Sequence, residues 1–240
     1  MADPKGDTRA GTIGGVNDFG DMYRPSEEHE AFRAAVREVC EEKVAPNAAE
    51  ADELAEFPKA SFEALVAADF HAPHIPEEYS GVGADALATV IVIEEVARAC
   101  AATSLIPAVN KLATLPWLLA GSEDIKQAYL PPIARGEAMA SYCLSEPESG
   151  SDAASMRTRA VRVGDHFVLN GVKRWITNAG LSDFYTVFVV TDPAARSKGI
   201  SAFVVEKSDV GVSFGAPEKK LGIKGSPTCE MYLDGVRVPE

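Results

Sequence analysis

The segment Tyr142-Cys-Leu-Ser-Glu-Pro-Glu-Ser-Gly-Ser-Asp152 concentrates hydroxyls, a glycine and acids behind the short apolar run Met139–Leu144. A turn of this composition exposes backbone N–H groups and side-chain hydroxyls together, which suits a phosphate or the polar edge of a heterocycle. Taken alone it serves equally well as an ordinary capped turn. A second segment, Lys173-Arg-Trp-Ile-Thr-Asn178, reads as a strand, in which alternation puts Trp175 and Thr177 on the same side. One face then offers a broad aromatic surface beside a hydroxyl able to reach a ring nitrogen. In isolation the same pattern is more often a core Trp with a satisfied Thr.

Other groups carry less. Glu94 and Glu95 are adjacent, and neighbouring helix positions point about 100° apart, so the two are not expected to share one reacting atom. His71-Ala-Pro-His74 offers two imidazoles without a third ligand, and Pro73 prevents a regular helix, so no metal site is expected. Gly11–Gly15 and Gly81-Val-Gly83 lack the strand–turn–helix setting of a dinucleotide fingerprint. Neither a GxSxG elbow, a P-loop nor a Cys/His nucleophile arrangement is present. Cys40, Cys100, Cys143 and Cys229 are scattered without a CxxC pair and read as free thiols in a reducing, cytoplasmic setting. The net charge of −13 argues against nucleic acid as a partner, though a local site for an anionic small ligand can oppose the global field. No apolar run is long enough to span a bilayer, and Met1–Tyr23 has neither the basic start nor the apolar core of a secretory leader.

These groups must be positioned by two kinds of structure. Residues 1–24 read as a flexible N-terminal extension. Residues 25–136 read as helix: Ser26–Val44 with Phe32, Val36, Val39 and Val44 near one face, a segment opened by Pro58 with Phe62, Leu65, Val66 and Phe70, then Asp85–Cys100, where the β-branched run Thr89–Ile93 is locally ambiguous but length and Ala-rich flanks favour a buried helix, and Ser104–Ala120. The last of these is expected to be disturbed at Pro116 and stopped by Gly121. His71–Ala84, broken by prolines and glycines, reads as a loop. Ser122 caps a short helix that should end before Pro131-Pro132. After Gly136 the texture changes to short runs rich in Val, Ile and aromatics: Arg157–Val163 and His166–Asn170 joined at Gly164-Asp165 as a hairpin, then Phe184–Val190, Ile200–Val205 and Thr228–Leu233. An all-helical half followed by a strand-rich half (137–240) indicates an α+β, multidomain chain.

Together the motifs resemble the acyl-CoA dehydrogenase family. Cys143-Leu-Ser-Glu-Pro-Glu-Ser-Gly-Ser-Asp-Ala-Ala-Ser155 fits that family's first signature, Trp175-Ile-Thr177 follows at the expected distance, and Ile75–Gly83 and Lys220–Thr228 add two further matches, so the resemblance runs from about Pro25 to Glu240. It implies a helical N-terminal domain followed by a β-barrel-like middle domain, with FAD lying extended against the latter. By similarity Tyr142, Cys143, Leu144 and Ser145 hold the pyrimidine edge, and Gly150 and Ser151 approach the FAD pyrophosphate. Trp175 packs on the ring, Ile176 adjoins it, and Thr177 bonds near N5; Ser151 and Ser197 approach the acyl-CoA substrate. The implied reaction is α,β-dehydrogenation of an acyl-CoA thioester, as in fatty-acid β-oxidation, with an electron-transfer flavoprotein as acceptor and a homotetramer as the complete assembly. The Leu221-Gly-Ile-Lys-Gly-Ser-Pro-Thr228 version points weakly to short-chain or branched-chain members. Family members continue into a C-terminal four-helix bundle that carries the catalytic Glu, so no catalytic residue is expected in this chain. The alternatives within the resemblance are a non-catalytic flavin- or acyl-CoA-binding subunit completed by a partner, and an acyl-CoA oxidase or flavin monooxygenase of the same fold.

Overall fold

The computed structural model describes residues 25–239, and the extension expected over 1–24 lies outside them, as does Glu240. Helix α1 (Glu27–Val39) starts where the Ser26 hydroxyl accepts the His29 N–H at 3.2 Å, with Glu27, Glu28 and Glu30 complementing the positive end of its dipole. It runs to Val44 as expected, but its last turn (Cys40–Val44) widens to π geometry before tightening over Ala45–Asn47 into α2 (Ala48–Leu54). Pro58 opens α3 (Lys59–Ala67), and Asp85 caps α4 (Ala86–Ala99) by accepting the Ala88 N–H at 2.7 Å. The His71–Ala84 loop carries one 3-10 turn, Glu77–Tyr79.

Two helices depart from expectation in the same way. Helix α5 (Ala101–Ala120) begins at Ala101 rather than Ser104 and continues through both Pro107 and Pro116. Helix α6 (Glu123–Ala134) runs through Pro131-Pro132 instead of stopping before them. A proline removes one N–H from the ladder but its φ is helical, and burial of Ile106, Val109, Ala113 and Trp117 on α5 outweighs the lost bond. On α6 the prolines sit in the last turn, where the carbonyls of Pro131, Pro132 and Ile133 accept N–H groups of Arg135 to Ala138 as the chain folds over them. Gly136 makes that reversal at φ +68°, with Val66 pressed against it so closely that a Cβ would lie 2.5 Å from either methyl.

Helices α1 and α4 are joined through Glu95, whose carboxylate is 1% exposed. It accepts from Arg37 Nε and Nη2 at 2.9 and 2.8 Å, from Arg33 Nη1 at 2.9 Å and from Arg98 Nε at 3.1 Å. Arg33 also donates to Glu94. The adjacent carboxylates therefore do converge, but on a guanidinium, because long side chains bend around the helix to reach one cation.

The strand-rich half is a mixed, curled, barrel-like sheet in the order β1-β4-β2-β3-β7-β6, with β5 on the other edge of β4. Its strands are β1 (Ala140–Cys143), β2 (Arg159–Val163), β3 (His166–Thr177), β4 (Phe184–Val190), β5 (Ile200–Glu206), β6 (Val212–Phe214) and β7 (Thr228–Pro239). Val163 pairs with His166 across Gly164-Asp165, with Gly164 at φ +67° in the first turn position. The two runs expected on either side of Gly171 form one continuous β3, and β7 extends past Leu233 to Pro239 to pair with it. Register shifts between Leu169 and Gly171, and between Lys173 and Ile176, bend β3 and curl the sheet. Strand β6, only three residues long, was not anticipated.

Helical and strand-rich halves share a core. Ala113 and Trp117 of α5 and Leu130 and Ile133 of α6 pack with Ala140 of β1, flanked by Phe184 of β4 and Val204 of β5. Polar bonds stitch the same seam: Ala140 N donates to Asn110 Oδ1 at 3.1 Å, and Thr186 Oγ1 to the Ala113 carbonyl at 2.6 Å.

Two outcomes follow. Arg37 first, with Arg33 and Arg98, overcomes the opposing effect of burial and holds the Glu95 carboxyl down to about 2 from 4.5. Because the folded value lies below the unfolded one, this stabilisation is present above pH ~4.5 and lost as pH falls toward ~2. Glu95→Gln should cost about 3 kcal/mol at pH 7 and flatten the loss of stability between those pH values in urea titrations. Gly136→Ala should cost about 2 kcal/mol through its left-handed φ and the Val66 clash, whereas Gly150→Ala, where a Cβ meets nothing within 4 Å, should stay within about 0.5 kcal/mol.

Candidate functional site

The curl of the sheet brings the two sequence motifs side by side. Ser141 Oγ donates to the Thr177 carbonyl at 2.7 Å, and Arg174 N donates to the Ser145 carbonyl at 2.8 Å. Tyr142–Ser145 thus runs antiparallel to Arg174–Thr177 at hydrogen-bonding distance, although thirty-odd residues of chain separate them. The turn that follows β1 is braced internally: Glu146 and Ser149 exchange backbone bonds, and Ser149 Oγ and Ser155 Oγ both donate to the Asp152 carbonyl.

Beneath the turn lies a buried ion pair. Lys173 is 0% exposed and its Nζ donates to Glu146 Oε1 at 2.7 Å and to the Leu144 carbonyl at 3.0 Å. Glu146, 5% exposed, also accepts the main-chain N–H groups of Arg157 and Thr158 at 2.5 and 3.0 Å. Burial alone pushes the Glu146 carboxyl up, but Lys173, Thr158 and Arg157 together hold it below the usual carboxylate range. Burial lowers the Lys173 ammonium, with Glu146 opposing. The sequence does not mark Lys173 as a site residue, whereas Glu146 lies within the Tyr142–Asp152 segment and reads there as a residue that orders the turn. The available signal was a lysine at an inward strand position two residues before Trp175, with an unpaired acid in the facing motif.

Trp175 is not part of a regular strand. One extra residue on β3 opposes β7 between Lys173 and Ile176, and Trp175 takes φ +58° within this bulge, leaving its indole 56% exposed with the Arg174 guanidinium 5.3 Å from the ring centroid. A left-handed backbone is unfavourable for an aromatic residue, and such bulges concentrate beside functional sites, where they re-aim a side chain. The simple alternation expected of Lys173–Asn178 is thus broken at Trp175. Ile176 faces the core and Thr177 is half-buried on the other side.

The remaining expected site residues divide clearly. Cys143 and Ile176 are buried in the strand-half core, with the Cys143 thiol 3.7 Å from Met231 Sδ, so their side chains are not available at the surface. Tyr142, Leu144 and Ser145 are half-buried, Tyr142 packing against Phe188 with tilted rings 4.9 Å apart, while Gly150 and Ser151 are exposed on the turn. Among the described residues, the hydroxyls of Ser145 and Thr177 have no hydrogen-bond partner, unlike those of Ser141, Ser149 and Ser155. Ser197 is exposed in the 3-10 segment Pro193–Gly199. Because β1 and β4 run parallel, that segment leaves the sheet at the same end as the turn after β1.

Next to this face a groove of about 860 Å³ separates α5 from the sheet, with Leu112, Leu115 and Leu119 on one side and Tyr142, Phe188 and Phe203 on the other. The Lys220–Thr228 motif is anchored to both halves: Lys224 N donates to Asp52 Oδ1 of α2 at 2.9 Å, and Asn178 N donates to the Pro227 carbonyl at 2.7 Å. His71 and His74 are engaged with the Ile133 carbonyl and Thr114 Oγ1, at 2.9 and 2.7 Å. Among the described residues no helix is long and apolar enough to cross a membrane.

Comparison with known proteins gives concordant matches. Residues 26–137 match the model of the acyl-CoA dehydrogenase N-terminal domain and residues 141–236 that of the middle domain. The "Probable acyl-CoA dehydrogenase FadE25" of Mycobacterium tuberculosis is 57% identical over 219 residues, covering 91% of this chain and 56% of that protein. Butyryl-CoA dehydrogenase from Megasphaera elsdenii superposes with TM-score 0.84 at 31% identity, over 90% of this chain and 58% of that one. An acyl-CoA dehydrogenase complexed with FAD from Bacillus anthracis gives TM-score 0.80 at 35% identity, over 90% and 37%. The chain therefore spans little more than half the length of the curated relatives it matches, and it belongs to the acyl-CoA dehydrogenase family through that family's N-terminal and middle domains.

Proposed function

We propose that this chain provides the flavin-binding face and one wall of the acyl cleft of an FAD-dependent acyl-CoA dehydrogenase, which converts an acyl-CoA thioester to a trans-2-enoyl-CoA. The observation that carries this reading is the antiparallel approach of Tyr142–Ser145 to Arg174–Thr177, which sets two uncommitted hydroxyls beside an exposed indole. The residues present fit a flavin: an aromatic surface for the ring, hydroxyl and main-chain groups for its polar edge, and open space above Gly150 for a phosphate. In this reading Tyr142, Leu144 and Ser145 hold the pyrimidine edge, Trp175 covers the ring, and Thr177 bonds near N5. Cys143 and Ile176 contribute main chain only, Gly150 and Ser151 approach the pyrophosphate, and Ser151 and Ser197 approach the CoA ester. FAD supplies the electron acceptor; the protein residues bind it, orient it and keep water from its face.

The groove along α5 supports a place for the acyl chain and for helices beyond this chain. Leu112, Leu115 and Leu119 recur at three- and four-residue spacing and are 47%, 39% and 76% exposed, the pattern of a helix face awaiting another helix. The bundle implied by the family, with its catalytic Glu, suits that face, and no base is assigned within residues 25–239. The same reading divides the chain into a helical domain over 25–136 and a barrel-like domain over 137–240, passes electrons to an electron-transfer flavoprotein and makes the complete protein a homotetramer.

Titration of the chain with FAD, followed by flavin absorbance and Trp quenching, should give saturable binding in the micromolar range or weaker. Trp175→Ala should weaken it about tenfold or more, equivalent to ~1.4 kcal/mol, without altering the urea midpoint greatly, since the indole is largely solvent-facing. Absence of FAD binding, or equal binding by the variant, would overturn the assignment.

A further inference from the structure

We propose that Lys173, with Glu146 as its counter-ion, is a positioning residue that aims the Ser145 N–H at the pyrimidine edge of the flavin; this rests on the cofactor reading above. The Leu144 carbonyl is held inward by Lys173 Nζ at 3.0 Å. A peptide unit is planar and trans, so its C=O and the following N–H point in opposite directions. Pinning the Leu144 carbonyl toward the buried ammonium therefore turns the N–H of the same unit, that of Ser145, away from the interior. The neighbouring groups leave it little freedom: the Ser145 carbonyl is taken by Arg174 N at 2.8 Å and Glu146 N by the Ser149 carbonyl at 2.8 Å. Among the described residues the Ser145 N–H itself has no partner, and its side-chain hydroxyl has none either. Two donors thus leave this half-buried position toward the open side of the site.

A purely structural account of the pair is weak. A buried ion pair contributes little net stability compared with apolar residues of similar shape, so stability alone does not call for a lysine here. What an apolar side chain cannot do is capture the Leu144 carbonyl. Lys173 is also the last paired residue before the bulge that displaces Trp175, so one side chain sets the height of the turn and the start of the ring-covering segment. Preorganised donors at the place where negative charge gathers on a reduced ring are worth more than mobile water.

The test uses the whole 240-residue chain. Lys173→Met leaves a buried carboxylate unpaired and is expected to unfold easily. Lys173→Met combined with Glu146→Gln removes both charges, while the Gln carbonyl can still accept one of the two N–H groups, of Arg157 or Thr158, that the carboxylate oxygens take separately. The double variant should keep the wild-type circular dichroism and a single cooperative urea transition at a somewhat lower midpoint, yet bind FAD about tenfold or more weakly and shift the long-wavelength flavin band. In the wild type, FAD should slow exchange of the Ser145 amide hydrogen, a measurement that needs no variant. Wild-type affinity and spectrum in the double variant, or a Ser145 amide indifferent to FAD, would overturn the positioning role while leaving the cofactor assignment standing. A wild-type chain that binds no FAD would remove both.

Discussion

A lysine ammonium without access to water sits where β1 and β3 approach one another, and the shape of the candidate site follows from how its charge is satisfied. Lys173 cannot be left unpaired at that depth, so it draws in the Glu146 carboxylate and the Leu144 carbonyl from the facing turn. Glu146 in turn fixes the main chain at Arg157 and Thr158, where the chain enters β2. Three segments far apart in sequence are thereby registered on one side chain. The bulge that exposes Trp175 begins at the next residue, so the ring surface and the polar edge inherit their separation from the same anchor.

The helical half uses a carboxylate hub too, with different physics. Glu95 is surrounded by Arg33, Arg37 and Arg98, whose outer atoms reach solvent, so the desolvation of the cations is only partial. Such a cluster adds cohesion between α1 and α4 with modest geometric demands. The Lys173–Glu146 pair is fully enclosed and its bonds run to main-chain groups, which makes it sensitive to direction rather than to charge alone. One hub joins helices; the other orients peptide planes.

Much of this was legible in the sequence. Apolar periodicity located α1 and α3, length and Ala-rich flanks located α4, the change of texture after Gly136 located the sheet, and the Gly164-Asp165 turn fixed the β2–β3 register. The run Tyr142–Asp152 and the Trp175–Thr177 pair stand out in the sequence by composition, and the fold sets them side by side. Failures have physical causes. A disturbance is expected at Pro116 and a stop before Pro131-Pro132 because local propensity ignores the tertiary burial that carries α5 and α6 through them. The bulge at Trp175 depends on pairing with β7, some fifty residues away, and no local pattern encodes it. Lys173 was overlooked because a lysine is ordinarily a surface residue, and only the closing of β1 against β3 buries it.

The seam between α5, α6 and β1 has a wider meaning. Family boundaries fall between residues 137 and 141, yet the cluster containing Trp117, Ile133, Ala140 and Phe184 straddles that point without interruption. Sequence modules and cooperative folding units therefore do not coincide here. Neither half can withdraw from the other without uncovering the interior of both, so the chain should melt as one foldon spanning the junction, with its most persistent amide protection at the seam rather than at the centre of either module.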